Sequence, residues 1–285
     1  MSERIKFNLV DSTFSHLDGG RLPIPNKGYS VHGKESTCIE WVTDGSGVGK
    51  FYTDKRIPEA FRDDSGELKF AWFLESKAIV PELYQHLTDN MDAYLEKFDS
   101  IFVFDKSFLS VSPKFKWVPA QGYWIQKAQM YDKTKMISMI ASNKNMCPGH
   151  QVRLDYIEKF DGQVDHFGNG YTWIDWKEEG LCDYMFSIAM ENCEVPGYFT
   201  EKVLDCFATG TIPIYLGDPD IGDHFNMDGV IWLSDEFEVS DEIYESKLDA
   251  VKDNLERVKK MEVLEDYIWE HHLKENFGKW FMFLI

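Results

Sequence analysis

The residues best equipped for chemistry lie close together. Glu191, Asn192, Tyr198, Thr200, Glu201 and Lys202 fall within a dozen positions. They surround a helix start: Thr200 is an N-cap residue type, Val203, Leu204, Phe207 and Ala208 form an apolar stripe, and Gly210 is a C-terminal stop. The free N–H groups of such a start attract anions. A cation there opposes the helix dipole, so Lys202 has two readings, an incidental charge on a solvated helix end or part of a grip on a phosphate. Arg153 raises the same question. The spacing predicts a helix from about His150 to Phe160 with Arg153 in its first turn, after the loop Cys147-Pro148-Gly149. Two cations at two strand-to-helix junctions favour a diphosphate clamp over two ordinary surface charges.

A third candidate is Glu75. It ends the apolar run Phe70–Leu74, which precedes an amphipathic helix over Pro81–Phe98 and a second strand over Ile101–Phe104. Strand, helix, strand implies a parallel pair, and catalytic groups in parallel sheets gather at the strands' carboxyl ends. The alternative is a carboxylate that merely ends a strand and caps the next turn.

The elements that must position these groups follow the same rhythm. Tyr184–Met190 reads as a strand, Glu191–Phe199 as a loop and Ile212–Leu216 as the returning strand, with Pro213 near its start. That is a parallel crossover. Met136–Ala141 is an earlier strand running into Ser142-Asn143. Val164–Gly168 is the next, turning at Gly168-Asn169-Gly170, and Val230–Leu233 comes later. Gly122–Lys133 reads as the crossing between lobes. Towards the end, Ser240–Lys260 is a charged amphipathic helix and Asp266–Phe277 an aromatic one.

The start of the chain is less patterned. Ile5–Val10 alternates as a strand and Ser12–Lys34 is turn-rich. Ile39–Thr43 and Lys50–Thr53 flank Asp44–Gly49, which predicts a hairpin with a glycine loop. A phosphate loop does not fit, because Asp44 and Phe51 stand where that pattern needs glycine and Ser or Thr.

The run Glu191-Asn192, then Gly197-Tyr198-Phe199-Thr200-Glu201-Lys202, then Ile212-Pro213-Ile214-Tyr215-Leu216-Gly217, resembles the donor-binding signature of the α1,3/α1,4-fucosyltransferases. The resemblance extends from Lys69 to Gly217 and is densest from Ser142. It implies an α/β, GT-B-like fold of two Rossmann-like lobes with parallel sheets, the N-terminal lobe reduced or atypical. It also implies inverting transfer of fucose from GDP-fucose to a glycan hydroxyl, without a metal cofactor, in a cleft that closes over the donor. On this resemblance Ser142, Asn143 and Arg153 join the donor-binding set, with Arg153 and Lys202 on the phosphates and Glu201 on the ribose. Tyr198 and Asn192 position nucleotide and sugar, Thr200 belongs to the same donor-binding set, and Glu191 is a candidate fucose contact. The presumed general base maps to Glu75, although the family's Gly-Glu-Asn context reads Leu74-Glu75-Ser76 here.

The implied division is an acceptor-side lobe over 1–130, a donor lobe over 131–262 and a C-terminal helix over 263–285 that packs back on the first. A transferase using another nucleotide sugar, or a nucleotide-sugar-binding protein without turnover, are the alternatives. Asp218-Pro219-Asp220 resembles a metal-binding Asp-x-Asp motif but reads as a turn, and the adjacent His271 and His272 cannot share one helical face. The formal charge of −19 disfavours nucleic acid and anionic membranes as partners. Five cysteines without a CxxC pair point to reduced thiols. With no signal peptide, anchor or membrane-spanning run, a cytoplasmic protein of bacterial or viral type is expected.

Overall fold

The computed structural model describes residues 4–11, 36–120, 122–275 and 277. The turn-rich stretch Ser12–Lys34 lies outside them, as do residues 278–285. The chain divides into two units, one formed by residues up to Gly122 together with those from Glu262 onward, the other by Tyr123–Met261. Each is built on a parallel sheet, as the alternation of strands and helices requires.

In the first unit the strands are β1 (Ile5–Val10), β2 (Ile39–Val42), β3 (Gly49–Thr53), β4 (Leu68–Trp72), β5 (Ser100–Val103) and β6 (Phe115–Trp117), in the order β2-β1-β3-β4-β5-β6. The hairpin expected around Asp44–Gly49 is not there. β2 and β3 both pair with β1, in parallel, on its two sides. The register explains how so short a connection suffices: β2 ends opposite Asn8 at Val42, and β3 meets the same Asn8 at Lys50. The chain therefore crosses over β1 without returning to its start. A Cβ on Gly47 would stand 2.4 Å from the Asn8 nitrogen, so only glycine lets the crossing lie this close.

The helix expected over Pro81–Phe98 is two, α1 (Pro81–Asp89) and α2 (Met91–Lys97). Asn90 breaks it at φ −125°, with its side-chain amide donating to the His86 carbonyl at 2.8 Å. Phe7, Phe51, Phe70 and Phe102, from four neighbouring strands, stack into one buried cluster. Leu264, Ile268, Leu273 and Phe277 from the C-terminal segment cover that cluster, so the tail belongs to the core of this unit.

In the second unit β7 (Lys135–Ile140), β8 (Asp165–Phe167), β9 (Tyr184–Met190), β10 (Ile212–Leu216) and β11 (Ile231–Trp232) lie in the order β11-β10-β9-β7-β8. Helix α3 (Pro148–Lys159) joins β7 to β8, and α4 (Glu201–Thr209) joins β9 to β10. These crossovers leave the adjacent strands β7 and β9 in opposite directions, which makes their carboxyl edge a topological switch point, where open α/β sheets bind ligands. The single helix expected over Ser240–Lys260 is α5 (Asp241–Ser246) and α6 (Leu248–Lys259), parted at Lys247. All five cysteines carry free thiols. Among the described residues no helix is long and apolar enough to cross a membrane.

Candidate active site

Helix α4 starts and stops where the sequence expects. Thr200 caps it, and Gly210 ends it at φ 68°. The cap is held from behind by the first residue beyond β9: both carboxylate oxygens of Glu191 accept from the Thr200 hydroxyl, at 2.9 and 2.8 Å, and one also accepts the Thr200 N–H at 2.7 Å. The Lys202 ammonium donates to Glu191 at 3.2 Å and to the Thr200 hydroxyl at 2.9 Å. The Glu191 side chain is wholly buried. Burial, with the Glu201 charge, pushes its carboxyl up against the pull of Lys202 and Thr200. Nominated for the sugar, Glu191 has its side chain inside the chain, building the helix start that carries Lys202.

Glu201 is bracketed by cations. Lys202 stands 3.6 Å from its carboxylate and Lys177 3.4 Å. Burial would raise Glu201, but the two ammonium groups prevail and hold it at about 2. Lys177, which no sequence pattern singles out, also reaches Asp205 at 2.7 Å and lies over the Trp124 ring. Glu201 is thus kept ionised, an acceptor for hydroxyl donors.

Arg153 corrects one expectation and strengthens another. Helix α3 begins at Pro148, so Arg153 is in its second turn and the helix dipole no longer singles it out. Its environment does. The residue is 7% exposed. One guanidinium nitrogen donates to the carbonyls of Ser142 and Lys144 at 3.0 and 3.2 Å, and its buried Nε has no hydrogen-bond partner. No carboxylate among the described residues pairs with it: burial lowers its basicity, and only Cys147 and Tyr171 act the other way.

His150, missed in the sequence, links the two helix starts. It is buried, and its Nδ1 accepts the Met146 N–H at 3.1 Å. Burial first, then Arg153, Lys144 and Lys202, push its pKa down, while a hydrogen bond with Asn192 pulls it up. The sequence signal was the glycine before it: a Cβ on Gly149 would meet the Asn192 carbonyl at 2.1 Å, so α3 starts directly on the end of β9. Ser142 and Asn143 follow β7, and the Asn143 N–H donates to the Asn169 carbonyl at 2.9 Å. Tyr198 is buried in the loop before α4. Asp218 closes that loop, accepting the N–H groups of Gly197 and Asp220 at 2.9 Å each. Asp218-Pro219-Asp220 is a turn, as its proline suggests.

Thus Ser142, Asn143, Arg153, Glu191, Asn192, Tyr198, Thr200, Glu201 and Lys202 share the β7–β9 carboxyl edge of the second unit. Glu75 is in the first, three residues beyond β4. Residues 130–274, which span that edge, match the family described as glycosyltransferase family 10 (fucosyltransferase), C-terminal part. The chain belongs to this family. Its relatives include a putative fucosyltransferase, R654, of Acanthamoeba polyphaga mimivirus, 39% identical over 70 residues, which are 25% of this chain and 12% of that protein. The alpha-(1,3)-fucosyltransferase FucT of Helicobacter pylori is 39% identical over 59 residues, 21% of this chain and 12% of the relative. The matched stretches are therefore a small part of either relative's length. The fold of the family 10 chain is also that of two crystal structures of α1,3-fucosyltransferase. One, with GDP, has a TM-score of 0.50 at 16% identity, covering 90% of this chain and 82% of that one. The other has a TM-score of 0.52 at 17% identity, covering 88% and 81%.

Proposed function

We propose that this family 10 chain transfers fucose from GDP-fucose to a hydroxyl of a glycan acceptor, with inversion at the anomeric carbon. The observation that carries the reading is Arg153. A buried guanidinium without a carboxylate costs several kcal/mol, and a diphosphate is the anion that a buried arginine on α3, the helix that starts against the end of β9, is suited to take. The structure of a related fold solved with GDP points the same way.

In this reading the Glu201 carboxylate accepts from ribose hydroxyls, while Asn192 and Tyr198 position nucleotide and sugar. Glu75 takes the proton of the acceptor hydroxyl as its oxygen bonds to the anomeric carbon. The bond from that carbon to the phosphate oxygen breaks, and GDP leaves with the electron pair. Arg153 and Lys202 stabilise the charge that builds on it, the task a divalent ion performs in other transferases. Among the alternatives, a binding protein without turnover would need the same clamp but no base.

The test is a panel of GDP- and UDP-sugars scored by melting temperature, followed by GDP release from the best donor with pooled oligosaccharides. A ligand at about 100 times its dissociation constant adds about 2.7 kcal/mol. GDP-fucose should raise the melting temperature most. A larger rise with a UDP-sugar would replace the donor, and binding without GDP release would replace the activity.

A further inference from the structure

Glu75 sits in a device that the sequence did not reveal. Its neighbours are not the glycine and asparagine of the family context, so something else must fix it. Asp54, the first residue after β3, has φ 39°, the only positive φ of a non-glycine residue among those described. That conformation is uncommon for a side-chain-bearing residue, and Asp is among the few that tolerate it. Its carboxylate is buried, and one oxygen accepts the backbone N–H of Leu74 at 2.9 Å and that of Glu75 at 3.1 Å. On the other side, the Tyr84 hydroxyl of α1 donates to the Glu75 carbonyl at 3.2 Å. Both backbone polar groups of Glu75 are therefore held by side chains from other elements. Asp54 is itself placed by its neighbour, since the Thr53 hydroxyl donates to Asp11, just beyond β1, at 2.6 Å. Three strand ends are stitched together at the residue before the candidate base.

From this geometry we infer that Asp54 is the positioning residue of Glu75, fixing through its peptide N–H the place where the acceptor proton is taken. The inference rests on the reading of Glu75 as general base. Burial pushes the Asp54 carboxyl up to about 7 against the pull of the two N–H groups, with Glu75 and then Asp11 adding to the rise, so Asp54 lies within electrostatic reach of the Glu75 carboxylate. A misplacement of about 1 Å at a reacting group can cost about 10²-fold in rate. The bonds from Asp54 and Tyr84 oppose such a drift.

Asp54→Gly removes the carboxylate and suits the left-handed backbone, while Asp54→Asn keeps an accepting oxygen. Both are made in wild-type and Glu75→Gln backgrounds, and the readouts are GDP release from GDP-fucose with pooled oligosaccharides and GDP-fucose affinity by calorimetry. Asp54→Gly should lower kcat by about 10–100-fold with donor affinity within about twofold. Asp54→Asn should stay within about threefold of wild type, and Asp54→Gly should cost nothing further once Glu75 is gone, because residues acting as a unit are non-additive. The inference is overturned if Asp54→Gly lowers kcat by the same factor in both backgrounds, if Asp54→Asn falls as far as Asp54→Gly, or if Asp54→Gly is fast while Glu75→Gln is slow. Glu75→Gln at the wild-type rate would remove the base itself, and the inference with it.

Discussion

The backbone N–H of Thr200 donates to the carboxylate of Glu191 at 2.7 Å, so the acid at the end of β9 caps the helix that follows it. The Thr200 hydroxyl and the Lys202 ammonium complete the arrangement. Replacing Glu191 by alanine leaves a buried N–H and hydroxyl without their acceptor and frees Lys202 from its anchor. The expected loss is about 2–4 kcal/mol, discounted for the partial exposure of Lys202. Urea unfolding of Glu191→Ala checks it. A change below about 0.5 kcal/mol, the range of ordinary surface substitutions, would show that water replaces the carboxylate.

Arg153→Ala and Lys202→Ala should each weaken GDP binding while the fold persists. Truncating a desolvated charge of this kind costs about 2–5 kcal/mol. Arg153 should sit at the upper end, because it is the more buried of the two and no carboxylate shares it. Calorimetric titration with GDP distinguishes the residues. Unchanged affinity in either variant takes that residue out of the clamp.

Glu201 gives the pH dependence a sign. The fold holds its carboxyl at about 2, below the ordinary 4.5, so folding favours the ionised form. The resulting stability is complete above the ordinary value and is lost as pH falls from about 4.5 towards 2. Glu201→Gln should therefore be less stable than wild type at neutral pH, and the gap should close on acidification through that window. Thermal unfolding of both proteins from pH 7 to pH 3 measures it. A gap independent of pH would mean that packing, not the Lys202–Glu201–Lys177 charges, is what the substitution disturbs.

What the sequence made legible was local. Thr200 and Gly210 bound a helix through chemistry within their own turns, so α4 was readable to the residue. Non-local partners were not. Asp44–Gly49 looks like a hairpin loop until β1, some forty residues earlier, is placed between the two strands. Asp54 carries no motif at all, because its bonds run to Leu74 and Glu75, twenty residues on, and need a positive φ that sequence does not announce. Arg153 was found for a partly mistaken reason: the dipole argument lapses in the second turn, and burial without a carboxylate takes its place. Lys177 and His150 each act on residues already nominated, Glu201 and Asn192, through contacts that only the fold brings together.

If the two cations take the place of a divalent ion, transfer should survive chelation by EDTA. The acids of the turn after β10 then separate by what they touch. Asp218 accepts two backbone N–H groups on one oxygen, so Asp218→Ala, which removes the acceptor, should lower the melting temperature. Asp220, exposed at the turn, should be nearly silent. Activity abolished by EDTA and restored by manganese or magnesium would assign the leaving-group charge to a metal instead.

Glu75→Gln is the variant on which the reaction turns. Leu74 stands where the family has glycine, and a bulky side chain beside the base would crowd the acceptor if it faced the same way. It does not: Leu74 is 4% exposed and packs in the aromatic core with Phe70 and Trp72. Its neighbour Glu75 is only partly buried. The substitution of glycine by leucine therefore adds to the core and leaves the carboxylate its room. A general base acts in the transition state and need not hold the donor, so Glu75→Gln should lower the transfer rate by about 10²–10⁴-fold while GDP-fucose affinity is unchanged. Parallel rate and binding measurements decide it. Transfer at the wild-type rate would reduce Glu75 to a strand-end residue, and the search for the base would pass to other acids.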